Sequence, residues 1–338
     1  FRNRIGESGI ELILKESIRV NGNDSNDSTA SIDTTVQEKN ITFPTDSKLH
    51  RKIIDKCRNI AEKENLPVRQ SYTRTLKKLS LDQRFRNHPR NKWKARKADR
   101  KEKTIAGRLV RELERNLSPD SRYQSDIDLF KRILNQKKSD KNKIYSVHEP
   151  DVQCISKGKE HKKYEFGNKV SIIYTQTTGV IIGALGFRNP YDGHTIEPAL
   201  EQTERLLGKR TLKTLIGDRG YKGKRQINDT TIEIPKPFNN RKQSQYQQNK
   251  LKKQFRKRAA IEPINGHLKT DHRLNRNFYK GITGDNINVM LAAAAFNFKR
   301  MMNKWKSSFG LEFKIQIVDL IKAMFYQINN NIIRKWAF

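Results

Sequence analysis

A single carboxylate, Glu262, stands among cations in the stretch Phe255-x-x-Arg258-x-x-x-Glu262-x-x-x-x-x-x-Lys269. At about 100° per residue these four positions fall within roughly 60° of one another around a helix, so they share one face. An ordinary Arg–Glu pair on a solvated helix would account for the spacing. Two further carboxylates open a chemical reading. Asp33 lies in Ser31-Ile32-Asp33-Thr34-Thr35-Val36, a β-branched run in which an aspartate is disfavoured by propensity and costly to bury unpaired. Asp218 closes the apolar run that begins at Leu212 and is followed by Arg219-Gly220-Tyr221. It can be a turn residue that satisfies backbone amides. The flexible backbone and adjacent cation also suit the carboxyl end of a strand that faces an anionic substrate. Three converging carboxylates repel one another unless a divalent cation binds them, and a small set of hard oxygen ligands suits Mg²⁺ or Mn²⁺. Two such ions about 4 Å apart can activate an attacking oxygen and stabilise a leaving one at phosphorus. The chemistry expected is phosphodiester hydrolysis or transesterification, with Arg258 and Lys269 holding flanking phosphates.

The surrounding composition fits such a substrate. Among 338 residues, 70 Lys and Arg oppose 36 Asp and Glu, a formal net charge of +34. A field of that size attracts polyanions and opposes self-association, so nucleic acid is the first partner expected and an anionic membrane surface the competing one. No apolar run approaches the ~20 residues that span a bilayer and no signal peptide is read, so a soluble intracellular protein is expected. Cys57 and Cys154 are too few for a disulfide framework or a cysteine zinc site. The chain starts at Phe1 and is read as lacking an N-terminal portion.

The elements that must position the carboxylates follow from periodicity. Residues 1–20 read as helix and residues 21–28 as a polar linker. The run around Asp33 reads as a strand, 168–175 and 179–187 as a hairpin, and 212–218 and 231–234 as two more strands. Between hairpin and fourth strand, Ile196, Leu200, Thr203, Leu206 and Leu207 recur at helical spacing. Residues 46–140 are helical and basic. The densest part, 84–111, carries Arg96, Lys97 and Arg100 among many other cations, with Phe85, His88 and Trp93 interleaved, and reads as a phosphate-contacting surface. Setting that block aside leaves three strands, a helix, two strands and helices: an α/β fold with an RNase H-like mixed five-stranded sheet flanked by helices, and a basic helical insertion after the first strand. In that arrangement the first and fourth strands are neighbours, and Asp33 meets Asp218.

Four blocks resemble those of bacterial insertion-sequence transposases of the DDE type, in the family's order: Asp33–Lys39, Asn189–Thr195, Gly217–Gly223 and Ala260–His267. The likeness runs roughly from Phe1 to Lys304. It implies Asp33, Asp218 and Glu262 as a metal-binding triad with two Mg²⁺ or Mn²⁺ ions, nicking at element ends, and strand transfer by the freed 3′-hydroxyl. The implied partners are double-stranded DNA, both terminal inverted repeats and target, and a second copy of the chain. The implied location is the bacterial cytoplasm, at the nucleoid, with no membrane. Residues 1–29 are then the remnant of an N-terminal helical region, 30–45 the first core strand, 46–142 the insertion, 143–306 the rest of the core and 307–338 a helical tail. Phe255, Arg258, Glu262 and Lys269 resemble the family's Tyr-Arg-Glu-Lys motif, with Phe255 in place of Tyr; the ring can still stack, but the hydroxyl is lost. With Arg258, Lys269, Phe255 and Arg219, the cations Arg96, Lys97 and Arg100 complete the expected DNA contacts. Pro263 should kink or restart the helix beside Glu262. Asp192 and His194 read as a turn and a helix start, and His161 and Tyr164 as structural or DNA-facing. Two other classes stay open: a nucleic-acid-binding relative without catalysis, and a nuclease that cuts without joining.

Overall fold

The computed structural model describes residues 2–156, 162–208, 212–235 and 244–308. Its centre is a mixed sheet built on five principal strands: β1 (Thr29–Lys39), β3 (Tyr164–Thr175), β4 (Ile181–Phe187), β5 (Thr214–Ile216) and β7 (Thr230–Glu233). They are ordered β4-β3-β1-β5-β7, antiparallel between β4, β3 and β1 and parallel from β1 through β5 to β7. All five occupy stretches read as strands in the sequence.

The sheet has eight strands rather than five. The additional ones are short: β2 (Gln153–Ser156), β6 (Gln226–Ile227) and β8 (Arg276–Asn277). β2 and β8 follow from the length of β1 and β3, 11 and 12 residues, against 7 for β4 and 3 for β5, whereas β6 pairs with β7. The overhanging backbone must be hydrogen-bonded. Accordingly β2 pairs with Tyr164–Gly167 beyond the end of β4, and β8 pairs with Glu38 and Lys39 beyond β5.

Helices α1 (Arg2–Arg19), α6 (Ile196–Leu207) and α9 (Gly281–Ser308) pack together over β3 and β4. Residues 1–29 were set apart from the catalytic core on sequence grounds. In the structure, Ile10, Leu14 and Ile18 of α1 are buried in the same apolar cluster as Ile32, Ile172 and Ile182 of the sheet. Asn297 ties α9 to α1 and the turn after it, donating to Ser17 Oγ at 3.1 Å while its own carbonyl accepts from Asn21 at 3.2 Å. Of the helical tail expected at 307–338, residues 309–338 lie outside the described residues.

The block after β1 forms four helices, α2 (Asp46–Lys63), α3 (Thr73–Asp82), α4 (Lys92–Asn116) and α5 (Gln124–Asn135), around an apolar cluster of their own. On α4 the core side is Ala95, Ala98, Ile105, Leu109 and Leu113. Arg96, Lys97, Arg100, Lys101, Lys103 and Arg108 are exposed, and among the described residues none pairs with a carboxylate. Glu102, the buried acid of α4, is instead held by Ser47, Arg51 and Gln83 inside the bundle. The net result is a folded unit with one strongly cationic helix face. Among the described residues, no helix is long and apolar enough to cross a membrane.

Candidate active site

Strand register sets the site. Thr29 pairs with Thr214, Ala30 with Leu215 and Ser31 with Ile216 in the parallel β1–β5 ladder. Asp33 lies two residues past Ser31 and Asp218 two residues past Ile216, so both carboxylates leave adjacent strands at the same level. Beyond β5 the chain turns through Gly217 and Gly220. The Gly220 amide donates to Asp218 Oδ1 at 2.7 Å. A Cβ at Gly220 would lie 2.9 Å from Asp218 Oδ1 and 3.1 Å from Asp192 Oδ2, so only glycine lets the turn close between these two carboxylates.

Asp192 therefore belongs to the cluster. It sits in the short 3₁₀ turn Asp192–Thr195 before α6, consistent with the turn read from sequence. Its carboxylate accepts from Thr34 Oγ1 at 3.0 Å and pairs with Lys169 Nζ at 3.0 Å. Thr34 adjoins Asp33, so Asp192 is anchored to the strand that carries the first aspartate. Tyr221 is buried in the same place; burial first, and then Asp33, Asp192 and Asp218, push its hydroxyl well above the usual tyrosine range. It stays a neutral phenol.

Arg258 approaches from the other side. It is the last residue of α7 (Gln245–Arg258), and its carbonyl accepts from the buried Tyr174 hydroxyl at 2.8 Å. Its guanidinium spans the two aspartates, with Nη1 3.6 Å from Asp33 Oδ1 and Nη2 3.7 Å from Asp218 Oδ2. The chain then breaks at Ala259–Ala260 through i→i−3 bonds and restarts as α8 (Ile261–Thr270). Pro263 falls in the first turn of α8, where its missing N–H leaves nothing unpaired. Phe255 and Arg258 thus lie on one helix and Glu262 and Lys269 on the next, and the single shared face becomes two faces joined by a tight turn.

Ile261, Ile264 and Leu268 anchor α8 in the core. On the neighbouring face, Asn265 donates from Nδ2 to Asp33 Oδ2 at 3.2 Å. Glu262 is exposed and precedes Asn265 by three residues, so their Cβ atoms are about 5–6 Å apart. Phe255 and Lys269 are half-buried and Arg219 is exposed beside Asp218. Arg96, Lys97 and Arg100 stand apart on α4. His161 lies outside the described residues.

Among the described residues, no three acidic, histidine or cysteine side chains are gathered closely enough to hold a metal ion. Even so, Asp33 and Asp218 converge on one positive group, and Asn265 Oδ1 is buried without a hydrogen-bond partner beside them. Hard oxygen donors in this arrangement suit a divalent cation in place of the guanidinium. The residues fit such a group.

Residues 136–298 match the transposase DDE domain family. This segment, just under half of the chain, is similar to that family. It contains Asp192, Asp218, Glu262 and Asn265; Asp33 lies upstream of it, beyond the helical insertion. Over 95 residues, 27% of the chain, the protein is 38% identical to an uncharacterized protein, ORF8 in the nfe locus, of Rhizobium meliloti. The chain spans about half of that relative's length, 46%. No solved structure matches.

Asp192, Asn265 and Tyr221 are the members of the cluster that sequence reasoning passed over as functional. For Asp192 a signal existed, since Asn189–Thr195 is one of the four family-like blocks. Asn265 could be found only as the next residue on the Glu262 face of α8.

Proposed function

We propose that this protein is a divalent-metal-dependent DNA transposase that nicks element ends and transfers the freed 3′ strands to a target. The observation that carries the reading is the level placement of Asp33 and Asp218 on neighbouring parallel strands, facing one cation, in a chain whose residues 136–298 match the transposase DDE domain family. The strand order β4-β3-β1-β5-β7, antiparallel then parallel, supports an RNase H-like core.

In this reading Asp33, Asp218 and Glu262 hold Mg²⁺ or Mn²⁺, as two ions. When bound, these ions supply Lewis-acid activation of the attacking oxygen and charge stabilisation of the leaving one. The chain's own residues do the rest. Asn265 orients the Asp33 carboxylate, and the Gly220 amide orients Asp218. Arg258 relieves the repulsion between the two aspartates and is the cation nearest a phosphate placed over them. Lys169 and Thr34 hold the Asp192 carboxylate in place. The exposed face of α4 follows the DNA backbone away from the chemistry, and two copies act together because two ends must be joined.

The test is a cleavage and strand-transfer assay with full-length protein, Mg²⁺ and DNA bearing candidate terminal inverted repeats. Products that need Mg²⁺ and vanish in Asp33→Asn and Asp218→Asn support the reading. Cleavage without joined products would instead make the protein a nuclease, and DNA binding without any Mg²⁺-dependent product would make it a binding protein alone.

A further inference from the structure

A cleft of about 660 Å³ opens between the β3–β4 turn, the C-terminal end of α8 and the outer turns of α9. Three cations of α9 line it, Lys299, Arg300 and Lys304. Lys299 is answered by Asp271 at 2.8 Å, and Lys304 by Asp24 at 2.9 Å. Arg300 has no carboxylate partner among the described residues, and its Nε is buried without a hydrogen bond. On the same wall, His272 Nε2 is likewise buried and unbonded. Phe296 stands edge-on to the His272 ring at 6.1 Å and fixes its orientation. Burial, and then Lys299, hold His272 below the usual histidine range, so it faces the cleft as a neutral ring. Asp271 is held strongly ionised by Lys299, Thr270 and His267, which keeps it engaged with its own partners. Buried nitrogens without partners are costly, and one in the Arg300 guanidinium together with one in the neighbouring imidazole describe a place for an anionic acceptor.

We propose that this cleft is a second anion subsite, which holds a backbone phosphate of DNA flanking the strand at Asp33, Asp218 and Glu262. The proposal rests on the transposase reading. Glu262 lies in the first turn of α8 and Asp271 just after its last, so the cleft is about 13 Å along the helix axis from Glu262. That distance is roughly four base-pair steps measured along a duplex axis. A guanidinium with a planar fork suits a phosphate, and the neutral imidazole adds a donor without adding charge. The hydroxyl of Thr178 lies on the opposite wall but already donates to the Asp24 carbonyl, which leaves Arg300 and His272 as the recognising groups.

The experiment is binding of a fluorescein-labelled duplex of about 30 base pairs to the full chain, followed by anisotropy over a KCl series, with inorganic pyrophosphate titrated in parallel by calorimetry. For Arg300→Gln, affinity should fall about tenfold and the slope of log K against log salt should shrink by about 0.9, one phosphate contact. Arg300→Lys should recover most of that slope, and pyrophosphate should bind wild type and not Arg300→Gln. Identical affinity and slope in wild type and Arg300→Gln would overturn the subsite while leaving the transposase reading intact. A wild type that binds no duplex would overturn the nucleic-acid reading itself, and the DNA phosphate as occupant with it. Should Arg300→Gln not fold, His272→Leu removes the neighbouring uncharged donor and should weaken duplex binding with the salt slope unchanged, and unchanged affinity would overturn the subsite.

Discussion

Asp33 and Asp218 leave adjacent parallel strands at the same level and face opposite nitrogens of one guanidinium, at 3.6 and 3.7 Å. Both contacts are longer than a hydrogen bond, and the two carboxylates are 20% and 40% exposed. Such pairs are weak, of order 0–1 kcal/mol each, so in the proposed function Arg258 is a placeholder that a divalent ion displaces rather than a lock.

Replacing Arg258 by Gln should therefore lower the melting temperature by about 1–3 °C in EDTA, because the two aspartates then face each other uncompensated. Mg²⁺ should raise the melting temperature of Arg258→Gln more than that of wild type. An equal Mg²⁺ response in the two proteins, read by differential scanning fluorimetry, would show that the guanidinium does not occupy the cation position.

Asp192 is predicted to matter for chemistry and not only for the turn. Asp192→Asn keeps the hydrogen-bonding shape toward Thr34 but removes the charge beside Asp218 and Lys169. Mg²⁺-dependent cleavage should fall about 10–100-fold, as for supporting groups around metal sites, with little change in melting temperature. Titrating Mg²⁺ against cleavage rate checks this; an unchanged curve returns Asp192 to a turn residue.

The cationic face of α4 should be visible in salt dependence. Changing Arg96, Lys97 and Arg100 together to Gln removes up to three phosphate contacts, so the salt slope for duplex binding should shrink by as much as about 2.7. The substitutions leave the apolar side of α4 untouched, and helix content should be preserved. An unchanged slope would assign the face to solvation alone.

A buried network joins the core to the segment that follows the insertion. Lys39 on β1 contacts Asp285 at 2.5 Å and Glu149 at 3.3 Å, and Asn168 and Asn277 also bond Asp285. Burial pushes the Asp285 carboxyl up to about 6, against Lys39, which lowers it. A carboxyl whose folded value is raised favours the fold in its protonated form. That contribution is complete below the unfolded value near 4 and is lost as pH rises through 6. Thermal melts from pH 4 to 7 should show the advantage of wild type over Asp285→Asn shrinking across this window, and a constant difference would contradict the assignment.

Much of the architecture was legible from periodicity alone. The β-branched run at Asp33, the hairpin at 168–187, the spacing of Ile196, Leu200 and Leu206, and the amphipathic insertion helices carry local signals, because period 2 and period 3.6 are written in neighbouring residues. The short strands β2, β6 and β8 carry no such signal. β2 and β8 exist because β1 and β3 overhang their partners, and β6 because it pairs with the edge strand β7, which are properties of the assembled sheet. The packing of α1 into the core was hidden for a similar reason, since its apolar face is matched by α9 nearly 300 residues later.

The candidate site divides along the same line. Residue type and strand context marked Asp33, Asp218 and Glu262 as carboxylates that could work together on a phosphodiester, and the excess of cations pointed to a polyanion. Which side chains share one point in space is a matter of register and of contacts between residues 40 to 232 positions apart. Only the tertiary structure could place Asp192 on Thr34, Asn265 on Asp33 and Arg258 between two aspartates. Local sequence pattern specifies elements; strand pairing and helix packing decide which of their side chains meet.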